Sequence, residues 1–114
     1  MIMNLANQVI ESLLAWIDDN LGLPLRIEDI AVRSGYSKWH IQRIFFLNTG
    51  TSMGRYIRNR KLEKAAQDLC ISNDKIGVIS ERYGYDSQQT FTRVFTKKYH
   101  LSPGNYRKWK QDID

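Results

Sequence analysis

An all-α fold of about seven helices, built from two copies of one small helical unit and a long helix between them, is predicted by three observations. The chain repeats itself with a period near 50 residues. Glycine, proline and capping residues divide it into helix-period segments, and no period-two stretch marks a strand. One segment, residues 53–70, is long enough to hold the two copies apart.

The repeat is detailed. Ile30-Ala31-Val32-Arg33-Ser34-Gly35-Tyr36 returns as Ile79-Ser80-Glu81-Arg82-Tyr83-Gly84-Tyr85 at an offset of 49. Past the Gly-Tyr pair the offset is 50, so that Arg43 matches Arg93, Phe45 matches Phe95, Ser52 matches Ser102 and Tyr56 matches Tyr106. One residue is inserted after the second Gly-Tyr and the register holds on either side of it, which marks a duplicated unit. Each copy has a helical segment ending in small-x-x-x-Gly, from Ala31 to Gly35 and from Ser80 to Gly84. The small side chain admits a crossing helix, and the glycine takes the left-handed turn. A second helix follows, with Ile41, Ile44 and Phe45 inward in copy one and Phe91, Val94 and Phe95 inward in copy two. Its other face carries Trp39, Gln42, Arg43 and Phe46, or Gln89, Thr92, Arg93 and Thr96 with Gln88 beside them. Two helices, a tight turn and an outward arginine describe a helix-turn-helix reader.

In chain order, residues 4–20 form an amphipathic helix with Leu5, Val9, Leu13, Trp16 and Ile17 on one face, ended by Gly22 and Pro24. Helix two, 27–34, lacks a good cap, since Arg26 stands in that place. Ser37 caps 38–48, and Ser52 caps the connector at 53–70. The connector's apolar positions are Met53, Tyr56, Ile57, Leu62, Ala65, Ala66 and Leu69, and Arg55, Arg58, Arg60, Lys61 and Lys64 are read as exposed. Its length of ~25–27 Å suits a spacer. Asp74 is expected to cap 75–83, Asp86 or Ser87 to cap 88–99, with Asp86 and Gln89 as a capping box, and Ser102 with Pro103 to open a last helix to about Lys110. The domains expected are 1–50, a connector at 51–71, and 72–114.

Charge is segregated. Residues 1–30 hold one basic residue and five acids, whereas residues 31–111 hold sixteen basic residues and five acids. A basic helical domain of this kind is an electrostatic footprint for nucleic acid. No apolar run approaches the ~20 residues of a membrane span and no signal peptide is seen, so a cytoplasmic protein, nucleoid-associated when bound, is expected. The one cysteine, Cys70, excludes an internal disulfide and reads as a buried thiol. One cysteine and the distant His40 and His100 supply no tetrahedral metal site, and no nucleophile–base pair or phosphate loop is evident. Neither an enzyme nor a cofactor is expected. His40 lies off the reading face and is assigned to the turn.

These stretches resemble the DNA-binding region of AraC/XylS transcriptional regulators, above all the small stand-alone branch of MarA, SoxS, RamA and Rob. The resemblance rests on Trp16-Ile17-Asp18-Asp19-Asn20, Ser34-Gly35-Tyr36-Ser37-Lys38-Trp39-His40, Gln42-Arg43, Tyr56-Ile57-Arg58, Ser87-Gln88-Gln89-Thr90-Phe91-Thr92-Arg93 and Pro103 to Arg107. It implies two helix-turn-helix subdomains on a long helix, and a monomeric activator of stress and multidrug-efflux promoters that recruits RNA polymerase. Two positions depart from the pattern. His100 stands where the family usually has Gly, Asp or Asn, and Phe46 where close relatives have a basic or polar residue.

The reading face and the resemblance together nominate base-reading residues: Trp39, Gln42 and Arg43 on the first reader, and Gln88, Gln89, Thr92 and Arg93 on the second. Arg43 can make two hydrogen bonds to guanine, Gln42 can pair with adenine, and Trp39 offers an apolar surface to a thymine methyl. Lys38, Arg58, Thr90, Lys97 and Lys98 are assigned to phosphates. Both readers lie in one chain and differ, so a monomer on one asymmetric double-stranded site of about 20 base pairs is expected. Repeats, connector and first helix occupy the whole chain, which leaves no room for a small-molecule effector domain. Repression of the same sites, or sequence-tolerant architectural binding, are the alternatives.

Overall fold

Seven helices follow one another among residues 5–113, the part described by this computed structural model: α1 (Leu5–Asp19), α2 (Ile27–Ser34), α3 (Lys38–Thr49), α4 (Met53–Ile71), α5 (Ile76–Arg82), α6 (Gln88–Tyr99) and α7 (Pro103–Ile113). Position 4, the expected start of the first helix, lies outside the described residues, as do the outermost limits of the expected domains. The chain divides into two compact units, one running to Arg60 and one beginning at Lys61, so α4 belongs to both. None of the described helices is long and apolar enough to cross a membrane.

In the first unit, α1, α2 and α3 pack around Ile10, Leu13, Ile17, Ile30, Ile41 and Phe45, all buried. The amphipathic stripe of α1 is real but turned toward Ile10: Leu13 and Ile17 are buried as expected, Val9 and Trp16 are half-buried, and Leu5 is exposed while Ile10 is buried. Trp16 is half-buried beneath the Arg33 guanidinium, 4.7 Å from its ring centre. The first turn of α4 joins this core through Met53 and Ile57, and Tyr56 meets Phe45 edge-on at 5.6 Å.

The second unit packs α5, α6 and α7 against the later turns of α4, with Leu62, Ala65, Leu69, Ile79, Phe91 and Phe95 buried. Val94, expected inside, is half-buried. An aromatic row continues from Phe95 through Tyr99 and Tyr106 to Trp109, with centroid spacings of 4.6, 5.2 and 6.0 Å. Cys70 is only half-buried, since it lies where α4 leaves this row, in a groove shared with Tyr99, Tyr106 and Ile71.

The duplicated turns behave alike. Ala31 and Ser80, the small residues of the two repeats, are both buried where the next helix crosses. Gly35 and Gly84 hold φ of 79° and 83°, the left-handed region that a side chain disfavours. Ser37 and Ser87 then cap α3 and α6, each accepting a hydrogen bond at 3.1 Å from the backbone N–H three residues on, His40 and Thr90. Asp86 is therefore the inserted residue and not the cap, and no capping box with Gln89 forms.

Asp74 does not cap α5 either; Lys75 occupies that place and makes no side-chain cap bond. The Asp74 carboxylate instead accepts from Arg82 Nη2 at 2.7 Å, and its backbone carbonyl accepts from Arg107 Nη2 at 2.6 Å. The Arg82 guanidinium takes the carboxylate that a local cap would need. Helices α4 and α7 end slightly later than expected, at Ile71 and Ile113.

Candidate nucleic-acid interface

The face of α3 that turns away from Ile41, Ile44 and Phe45 brings Trp39, Gln42, Arg43, Phe46 and Leu47 around one shallow concavity. Positions i, i+3, i+4, i+7 and i+8 share one side of a helix, so the buried triplet fixes which residues must face outward. Trp39 is 68% exposed, although a tryptophan is ordinarily well covered. The Arg43 guanidinium stands 5.6 Å from the Trp39 ring centre, which holds this exposed pair in a common orientation. His40 is set aside from the face: its ring meets Tyr36 edge-on at 4.9 Å.

On α6 the equivalent face gathers Gln88, Gln89, Thr92 and Arg93 around a second concavity. The seven residues nominated for base reading thus gather in two sets, three on α3 and four on α6. The seven nominated residues lie in the N-terminal halves of α3 and α6, where a major-groove reader makes many of its base contacts. Gln88 has a support that the sequence pattern did not reveal. A Cβ added to Gly77 in α5 would come within 3.0 Å of Gln88 Oε1, so the absent side chain at Gly77 is what lets the Gln88 amide lie over α5. Only the fold brings these two residues together.

The residues assigned to phosphates are less uniform. Arg58 and Lys97 are exposed. Lys38 Nζ bonds Glu28 Oε1 at 2.9 Å, and this bond holds the exposed Glu28 carboxyl below its ordinary range. The pair is open to water and weak, so a phosphate can compete for the ammonium. Lys98 stands 3.8 Å from Glu63 and beside the Tyr99 ring. Thr90 is half-buried, with its hydroxyl accepting from Ser87 Oγ and its N–H satisfied by the same cap. Three of the basic residues read as exposed on α4 are partly covered: Arg60, which pairs with Asp18 at 2.9 Å, Lys61 and Lys64. Burial lowers the affinity of the Lys61 amine for its proton.

The helix-turn-helix domain family matches residues 30–108, which include α3, α4 and α6. The multiple antibiotic resistance protein MarA of Escherichia coli (strain K12) is 52% identical over 98 residues, spanning 86% of this chain and 77% of that protein. The chain belongs to the AraC/XylS family. The transcriptional regulator Rob of Salmonella typhimurium is 44% identical over 100 residues, 88% of this chain but 35% of that longer protein. Among solved structures, the C-terminal domain of AraT, a response regulator from Geobacillus stearothermophilus, superposes with a TM-score of 0.83 at 26% identity, covering 92% of this chain and 88% of that one. The DNA-binding domain of AdpA, a global transcriptional factor crystallised with a target DNA, shares the fold with a TM-score of 0.85 at 21% identity, covering 91% and 94%. This AraC/XylS protein is a sequence-specific DNA-binding transcription regulator and not an enzyme.

Proposed function

We propose that this AraC/XylS regulator acts as a monomeric activator on one asymmetric promoter site of about 20 base pairs, and that it works by recruiting RNA polymerase. The observation that carries the proposal is the presence of two unlike reading faces in one chain. Trp39, Gln42 and Arg43 serve one segment of DNA, and Gln88, Gln89, Thr92 and Arg93 serve another. A single reading helix covers too few base pairs for a specific site, which is why most such proteins dimerise on a palindrome. Two different readers in one polypeptide supply the second segment without a second chain. Lys38, Arg58, Thr90, Lys97 and Lys98 set the register on phosphates. Stress and multidrug-efflux promoters are the proposed targets, supported by 52% identity to a protein named for multiple antibiotic resistance.

Selection of bound fragments from random DNA, carried out with the wild type and with Arg43→Ala, tests the reading assignment. Loss of one bidentate pair is expected to cost about 1–3 kcal/mol and to relax preference at one base pair within one segment. The same consensus from both proteins would remove α3 as a reader.

A further inference from the structure

The two readers are copies of one another in backbone and cap, yet the outer faces have opposite chemistry. At the repeat offset, Trp39 corresponds to Gln89, Phe46 to Thr96 and Leu47 to Lys97, while Arg43 corresponds to Arg93. Each apolar member on α3 is thus polar or charged on α6. Phe46 is 56% exposed and Leu47 is 68% exposed, and both border the concavity that holds Gln42 and Arg43. On α6, Thr96 turns its hydroxyl back to the Thr92 carbonyl at 2.6 Å. Exposed large side chains beside a reading arginine carry a solvation cost that folding does not recover.

Phe46 is placed to use that surface on DNA. It lies seven residues after Trp39, almost two full turns, so the two rings share one face of α3 about 10 Å apart along the axis. That distance is about three base-pair steps at ~3.4 Å each. In the major groove the only apolar group a base edge presents is the C5 methyl of thymine. A basic side chain at position 46 would seek phosphate, whereas an aromatic ring has nothing to gain there.

We infer that Phe46, with Leu47 beside it, is a further specificity-determining residue: its ring packs on a thymine methyl about three steps from the base pair met by Trp39. The first segment of the site is thereby read in part by large apolar side chains on methyl groups, and the second chiefly by hydrogen bonds. This inference rests on α3 being a base reader, as proposed above.

The test replaces thymine by deoxyuridine, one position at a time, in the selected site, and so leaves the protein untouched. The segment served by α3 is identified by where Arg43→Ala relaxes the consensus, and the segment served by α6 by Arg93→Ala. Removing one contacted methyl is expected to weaken binding about threefold to fivefold, the worth of a buried methyl-sized group. The loss should occur at one or more thymines of the first segment, and at least one of these sensitivities should vanish in Phe46→Ala, whose exposed position leaves the fold intact. Sensitivity that is absent throughout the first segment, or unchanged in Phe46→Ala, overturns the inference while Arg43 remains a reader. A first segment without thymine overturns it equally. An unchanged consensus for Arg43→Ala would instead remove the reading helix, and this inference with it.

Discussion

Arg60 donates from Nε to the Asp18 carboxylate at 2.9 Å, joining α4 to α1 across 42 positions of sequence. Tyr56 Oη donates to the same carboxylate at 3.3 Å. A basic residue on a basic helix is thereby employed inside the protein, while Arg58, two positions earlier, stays exposed. Arg60→Gln should lower stability by about 0.5–1 kcal/mol, the range of a partly exposed pair, and leave the salt dependence of DNA binding unchanged. Arg58→Gln should do the reverse, reducing the salt slope by about one with little change in stability. Denaturant midpoints and affinities across a salt series measure both. A lowered salt slope for Arg60→Gln would contradict the internal role.

Alkaline pH should act on the second unit through its tyrosines. Burial pushes the Tyr99 phenol up to about 12 and raises Tyr106 too, while Tyr83 is raised by burial and by donating to Asp68 at 2.7 Å. In the unfolded chain these phenols ionise near 10. Above about pH 10 the unfolded state therefore binds fewer protons than the native state, and stability falls as pH rises. The stabilisation is complete below about pH 10 and, for Tyr99, is lost progressively up to about pH 12. Tyr99→Phe should make the decline shallower in denaturant titrations run from about pH 9 to about pH 11. An equally steep decline in that variant would exclude Tyr99 as a contributor.

His100 ends α6 at φ 64° and ψ 13°, the one non-glycine in the left-handed region among the described residues, with its N–H bonded to the Thr96 carbonyl at 2.7 Å. The turn thus keeps the geometry that glycine favours despite carrying a side chain. His100→Gly should stabilise the protein by about 0.5–1 kcal/mol, because it relieves the steric cost of that conformation against some gain in unfolded-chain freedom. The thermal midpoint should rise with DNA affinity unchanged. A fall in the midpoint would show that the histidine ring contributes more than the strain it brings.

The monomer proposal predicts one chain per site. Sedimentation of the protein with a single-site duplex should give the mass of one polypeptide plus DNA, and the selected consensus should lack a palindrome. Two chains per duplex would reject the proposal. In a reaction containing only polymerase, a target promoter and this protein, transcription should rise without any added small molecule. Occlusion of the promoter would turn the reading to repression.

What was legible in the sequence was chemistry that acts over a few residues. The serine caps at Ser37 and Ser87 and the left-handed glycines at 35 and 84 depend on neighbours three or four positions away, and the repeat states them twice. Which residues α3 turns outward was legible for the same reason. A helix that buries Ile41, Ile44 and Phe45 has no choice but to turn Trp39, Gln42 and Arg43 outward.

Tertiary structure decided the rest wherever a side chain had two acceptable environments. Leu5 and Ile10 both fit the amphipathic stripe of α1, and only the placement of neighbouring helices selects Ile10 for the core. Asp74 has the chemistry of a cap, but the Arg82 guanidinium engages its carboxylate instead, while Arg107 binds only its backbone carbonyl. Arg60 and Arg58 look alike in a basic run, because a guanidinium is equally at home with water, phosphate or carboxylate. Nothing in the local pattern singles out Gly77, and only the fold lays the Gln88 amide over it. Local periodicity sets which face a residue occupies, and long-range packing sets what that face meets.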